Sequence, residues 1–187
     1  YKSPAPPLAI HSLHFVHIII KYLVIYRFFK LSKDNDKRNP IPTIDIIIQG
    51  KPNSDDNNKT STVLLVKRKK DPFKDYFALP GGFVDEGEKV EDAVRREAKE
   101  ELSVKVELID ILGVYSDPNR DPRGHIMSIT FIAKIVEGEL KAGDDASEIK
   151  MVKVDDMDKV KLAFDHSQIL THYVGWLKSK ETFWSSK

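Results

Sequence analysis

From about Pro40 the chain sets short apolar runs against polar breaks. "TIDIIIQ" (residues 43–49) and "STVLLVKR" (residues 61–68) are β-branched runs of strand length, and the polar stretch "GKPNSDDNNKT" between them predicts a hairpin with a long loop. "VKVELIDILGVYS" and "HIMSITFIAKIV" predict two further strands separated by the loop "DPNRDPRG", and "EIKMVKV" predicts another. Between the second strand and these later ones, Val90, Ala93, Val94, Ala98 and Leu102 recur at helical spacing. "FDHSQILTHYVGWLKS" (residues 164–179) is an amphipathic closing helix. Asp165 and Gln168 form a capping box at its start. Strands around one long helix, closed by another, imply an α/β domain with a mixed sheet between helices. No internal repeat or low-complexity tract interrupts the pattern.

Residues 1–39 follow a different rule. The apolar stretch at residues 8–29 is broken by Lys21 and Arg27, so it lacks the run of about 18 uncharged apolar residues that a membrane span needs. No small-residue cleavage site of a secretory signal follows it. It is expected to pack on the domain or on a second subunit, with a homodimer as one arrangement; contact with a membrane surface is the less favoured role. His11, His14 and His17 recur every three residues but have no carboxylate or cysteine beside them, which argues against a metal comb. The chain begins at Tyr1, consistent with a processed or trimmed form. "KLSKDNDKRNPIP" reads as a linker. The expected division is an extension and linker at 1–39, a domain at 40–180 and a tail at 181–187.

Composition narrows the chemistry. The formal net charge is only +1, although residues 1–40 carry seven Lys/Arg and two Asp/Glu, leaving −4 on the remainder. That balance does not point to nucleic acid as a partner. The absence of cysteine excludes disulfides, zinc–thiolate sites and thiol nucleophiles, and fits a cytoplasmic location.

The helix holds the informative charge. At ~100° per residue, Glu97 and Glu101 point within about 20° of Val90, on the inward arc, and Glu100 lies at its edge. Inward carboxylates repel one another and lose hydration unless a cation compensates them. Arg95, Arg96 and Lys99 leave the helix on other sides, so a hard divalent cation is the better candidate. Pro80, Gly81 and Gly82 predict a tight turn ahead of the helix, where a glycine carbonyl could add a metal ligand. Glu86 or Glu88 is expected to pair with Arg96 and hold this loop against the helix. Together these features predict a phosphate-handling metal site.

The spacing Gly82, five residues, Glu88, seven residues, then "REAKEELSV" resembles the Nudix box. Gly82, Glu88, Arg96, Glu97, Glu100, Glu101 and Val104 match it, Ala98 is acceptable at an aliphatic position, and Ser103 stands where the pattern has glycine. The resemblance implies an α/β/α sandwich that hydrolyses a nucleoside diphosphate linked to another group, with Mg²⁺ or Mn²⁺. It implies Glu97 and Glu101 as principal metal ligands, Glu100 as a further ligand or base, and a carbonyl from Gly81 or Gly82. Glu148, read as part of an acidic loop before a strand, is a candidate base or outer ligand, with an ordinary exposed acid as the alternative. In the loop at residues 114–125, Arg120 and Arg123 are offered to phosphates and Tyr115 to a base. Arg68 is a further candidate phosphate contact, beside an ordinary surface role. This loop and "LAFDH" are similar to segments of ADP-ribose pyrophosphatases, so the expected reaction splits ADP-ribose into AMP and ribose 5-phosphate. The alternatives are another nucleotide substrate of the family, or a domain that senses ADP-ribose without hydrolysing it.

Overall fold

The computed structural model describes residues 39–50, 61–143 and 146–183. The expectations placed on residues 1–38, including subunit packing and membrane contact, and the loop at 51–60 lie outside the described residues. The chain divides into two compact units, residues 1–39 and 40–187. No helix among the described residues is long and apolar enough to cross a membrane.

In the second unit the strands are β1 (Ile41–Gln49), β2 (Thr62–Arg68), β3 (Phe77–Ala78), β4 (Gly81–Phe83), β5 (Val104–Tyr115), β6 (Ile126–Gly138) and β7 (Ala146–Lys153). Helix α1 (Val90–Leu102) precedes β5; a 3₁₀ turn (Val154–Lys159) and helix α2 (His166–Ser179) close the domain. The sheet runs β3-β2-β1-β6-β5, with β4 added to β1 and β7 to β2. It is mixed: β1 lies parallel to β6 from Ile41 opposite Ile126 to Gln49 opposite Lys134, and β5 returns antiparallel to β6.

The expected β1–β2 hairpin is only marginal, because the two strands are in register at Gln49 and Val63 alone. β1 has isoleucines on both faces, and a strand apolar on both faces belongs in the middle of a covered sheet. Its long partner is therefore β6. Gly81 and Gly82, expected in a tight turn, instead form β4, with Gly82 opposite Ile44 and Gly81 opposite Asp45. The reason is steric: a Cβ on Gly81, at φ +153°, would collide with the Ile44 carbonyl, so glycine lets this segment lie flat on β1.

Period-two alternation divides the core between the two faces of the sheet. Ile44, Ile46 and Ile48 of β1, with Leu64, Val66 and Phe131, pack on Ala93, Val94, Ala98 and Leu102 of α1. Ile47, Val63, Leu65 and Ile132 on the other face pack on Ile169, Leu170, Tyr173 and Trp176 of α2. Helix, sheet and helix form three layers, as the apolar spacing of both helices predicts. Asp45 breaks the apolar run of β1 on the α2 face, where Ser128 of β6 meets it. The expected capping box does not form: Asp165 precedes α2 but its carboxylate makes no cap bond, being engaged by Arg120. α1 ends at Ser103 in the left-handed region, φ +61°, which explains why glycine is the usual residue there.

Candidate active site

A cavity of about 400 Å³ opens between β4, the start of β1, α1 and the loop after β5. Glu97 and Glu101 of α1 line it together with Gly81 and Gly82. The inward arc of the helix delivers them: their neighbours Ala93, Val94 and Ala98 are buried, so residues at the same azimuth one turn on must face the sheet. The Gly81 N–H donates to Glu101 Oε2 at 3.1 Å, and a Cβ on Gly82 would collide with the Glu97 carboxylate. A side chain at 82 would therefore have to push the Glu97 carboxylate from its place at the cavity wall.

Arg96 braces the outer wall. Its Nε and Nη2 donate to the two oxygens of Glu88 at 2.9 and 3.0 Å, and Nη2 also donates to the Phe83 carbonyl at 2.9 Å. Glu88 thus makes the pairing expected of Glu86 or Glu88, and its grip raises the Arg96 pKa and lowers its own. Arg96 Nη1 lies 2.7 Å from Glu97 and 3.2 Å from Glu100. The Glu97 side chain is 13% exposed, and burial pushes its carboxyl above the ordinary range despite Arg96. Glu100, 60% exposed, stays at the outer edge.

The donor set suits one kind of ion. Among the described residues no three acidic or histidine side chains close into a cage. Two carboxylates beside backbone oxygens fit a divalent ion that keeps waters and shares phosphate oxygens, as Mg²⁺ does, rather than an ion enclosed by protein. Glu97 and Glu101 would hold it.

The cationic side of the cavity comes from Arg68, Lys69, Lys70 and Arg123. Arg123 Nη2 donates to Asp121 at 2.7 Å, and its guanidinium lies over Phe83 and Phe164 at 5.3 and 5.4 Å. Arg68 donates to the Pro72 carbonyl at 2.9 Å and stacks over Phe164 at 4.9 Å. Both are oriented by aromatic faces and still line the cavity.

Three expected site residues sit elsewhere or are otherwise engaged. Arg120, offered to phosphates, is 5% exposed and donates through Nε and Nη2 to Asp165 at 2.8 and 2.6 Å, with Asp45 at 3.4 Å. Two carboxylates already neutralise it, so it forms the cavity floor rather than a phosphate clamp. Tyr115, offered to a base, is 4% exposed and stacks with His172 and Phe183 on the α2 face; it does not line the cavity. Glu148 lies on β7, not in a loop, opposite Lys67 and 3.7 Å from its ammonium, away from the cavity. The floor residues Asp45, Ser128, Asp121 and His166 went unassigned in the sequence. The one available signal was Asp45 itself, an acid inside an isoleucine run.

An α/β/α sandwich with glycine backbone over two inward glutamates, and cations lining the same cavity, is the arrangement of a phosphate-handling hydrolase of the class that generally uses a divalent metal ion. Comparison with known proteins places it further: the NUDIX domain family model matches residues 53–173, and the chain belongs to this family. It is 53% identical over 118 residues to an ADP-ribose pyrophosphatase of Methanocaldococcus jannaschii, an alignment covering 63% of this chain and 69% of the relative. Among solved structures it resembles a MutT/nudix family protein from Enterococcus faecalis, with TM-score 0.65, 31% identity, and coverage of 81% of this chain and 69% of the other. It also resembles the NUDIX domain of Shewanella oneidensis NrtR complexed with ADP ribose, with TM-score 0.63, 26% identity, and coverage of 75% and 90%.

Proposed function

We propose that this Nudix hydrolase cleaves the pyrophosphate of ADP-ribose to AMP and ribose 5-phosphate with Mg²⁺, or Mn²⁺ in its place. The observation that carries the reading is a shared cavity lined by Glu97 and Glu101 together with Arg68 and Arg123. The names of the Methanocaldococcus relative and of the ADP-ribose-bound Shewanella domain support the choice of substrate.

A bound divalent ion would neutralise pyrophosphate charge and lower the pKa of the attacking water. The chain's own residues do the rest. Glu97 and Glu101 would hold the ion. Gly81 lets this segment lie flat on β1, and Gly82 leaves room for the Glu97 carboxylate at the cavity wall. Arg123 and Arg68 supply positive charge to the diphosphate and are kept in orientation by Asp121, the Pro72 carbonyl, Phe83 and Phe164. Arg96, committed to Glu88 and the Phe83 carbonyl, holds β4 and the following loop against α1, and so keeps Glu97 at the cavity wall.

Product analysis with ADP-ribose, NADH, diadenosine tetraphosphate and oxidised dGTP under Mg²⁺ tests the assignment. ADP-ribose should give the highest kcat/KM, with AMP released. A higher kcat/KM for any of the other three overturns it. A binding-only role is the second reading, suggested by the likeness to the Shewanella domain complexed with ADP ribose, and the intact glutamates set it second. Tight ADP-ribose binding without turnover would put it first.

A further inference from the structure

β4 lies on β1 and is tied to α1 through the Arg96 bond to the Phe83 carbonyl, but the residues that lead into it from Leu79 need anchors of their own. β4 is three residues long and two of them are glycine, so it has little side-chain packing of its own. Beyond those contacts, the backbone from Leu79 to Gly81 is held at three points. The Gly81 N–H reaches Glu101, the Pro80 carbonyl accepts from the Ile46 N–H at 2.8 Å, and the Leu79 N–H donates to Nδ1 of His166 at 2.9 Å. The third tie is the one made by a side chain from outside α1 and β1.

His166 is the first residue of α2 and is 3% exposed. Because Nδ1 accepts a backbone N–H, the ring proton sits on Nε2, which faces Asp45 Oδ1 at 3.5 Å. The other Asp45 oxygen accepts from Ser128 at 2.6 Å and faces Arg120, which in turn grips Asp165, the residue before His166. The chain of contacts runs from the loop that carries Arg120 and Arg123, through Asp165 and Asp45, to His166 and then to Leu79. The substrate loop and the glycine segment are thereby joined beneath the cavity.

We infer that His166 is a positioning residue, whose Nδ1 sets the height of the Leu79–Gly82 backbone against Glu97 and Glu101, and whose Nε2 ties that setting to the Asp45–Arg120 floor. The inference rests on the metal-dependent reading above, but it concerns the backbone and so has consequences without substrate. His166 touches neither the substrate nor the ion; it acts through Leu79. Residues that orient metal ligands in this indirect way commonly change metal affinity or activity by about 10- to 100-fold when replaced.

Two substitutions separate the two ring nitrogens. Asparagine places an oxygen near the position of Nδ1, so His166→Asn keeps an acceptor for the Leu79 N–H but loses the reach to Asp45. Glutamine reaches as far as Nε2, so His166→Gln keeps contact with Asp45 but leaves the Leu79 N–H unpaired. Three readouts apply to the full chain: hydrogen exchange of the Leu79 amide without metal, Mn²⁺ binding without substrate, and kcat and KM for ADP-ribose. His166→Gln should lose Leu79 protection, bind Mn²⁺ about 10-fold more weakly and lower kcat by a similar factor, with KM little changed. His166→Asn should restore protection and most of the Mn²⁺ affinity, even if its thermal stability is no better. Equal Mn²⁺ affinity in wild type and His166→Gln, or equal losses in both variants that follow their melting temperatures, would overturn the inference. If ADP-ribose is not a substrate at all, the exchange and Mn²⁺ measurements still decide it.

Discussion

Ser103 shows how one residue carries a backbone cost. At φ +61° it occupies a region where an L-residue with a Cβ is disfavoured, and its backbone N–H still closes α1 onto Lys99 and Ala98. Ser103→Gly removes that steric cost but raises the entropy of the unfolded chain, which offsets part of the gain. It should stabilise the domain by about 0.5–1 kcal/mol. Urea unfolding measures this, and a lowered midpoint would show that the serine makes a compensating contact. The departure from the box pattern was legible in the sequence, because glycine there answers a conformational need rather than a chemical one. Asp45 was not legible as part of the site. Its partners Ser128, Arg120 and His166 lie on three other segments, and only the fold brings them together. Burial alone would raise its carboxyl; His166, Arg120 and Ser128 together hold it below the ordinary carboxylate range.

At the scale of elements, α1 was the most readable part of the chain. Its 3.6-residue period placed Ala93, Val94, Ala98 and Leu102 in the core and turned Glu97 and Glu101 toward the cavity. The strand partners were less so, since an all-apolar run such as β1 does not say which neighbour it takes. The roles of loop residues were the least so. Tyr115 ends β5 on the α2 face after the register shifts of that strand, which spacing alone does not foresee. β7 carries Glu148 into register with Lys67, outside the cavity. Glu148→Gln should therefore keep kcat for ADP-ribose within about twofold, whereas a loss of about 100-fold would restore it as a general base.

Helix α2 offers a pH test. His172 lies beside the Tyr115 hydroxyl at 3.1 Å and under the Phe183 ring, with ring centroids 3.8 Å apart. Burial lowers its pKa below 6.5, so the fold favours the neutral ring. The unfolded chain takes up the proton first as pH falls, so stability should decline from about pH 7 downward and level off once the folded pKa is passed. His172→Gln should flatten this part of the profile in urea unfolding at pH 7.5, 6.5 and 5.5. An unchanged slope would assign the decline to other groups.

For the molecule as a whole, the sheet separates two cores while its edge near β4 joins them at one cavity. From the α1 side come the glutamates; from the α2 side come Asp45, Arg120 and His166. The floor sets Arg120 between two carboxylates, Asp45 and Asp165, and Arg123 is paired with Asp121, so a divalent ion at Glu97 and Glu101 would add the positive charge that an anionic diphosphate needs in this cavity. Turnover is thereby expected to depend strictly on a divalent ion. The most direct test of this dependence is the rate of AMP release from ADP-ribose as Mg²⁺ is titrated, in the wild type and in Glu101→Gln. The wild type should be inactive without the ion and saturate with it, while Glu101→Gln should lose about 100-fold or more in kcat with its fold intact. Activity without any divalent ion, or a Glu101→Gln enzyme as fast as the wild type at every Mg²⁺ concentration, would contradict the assignment.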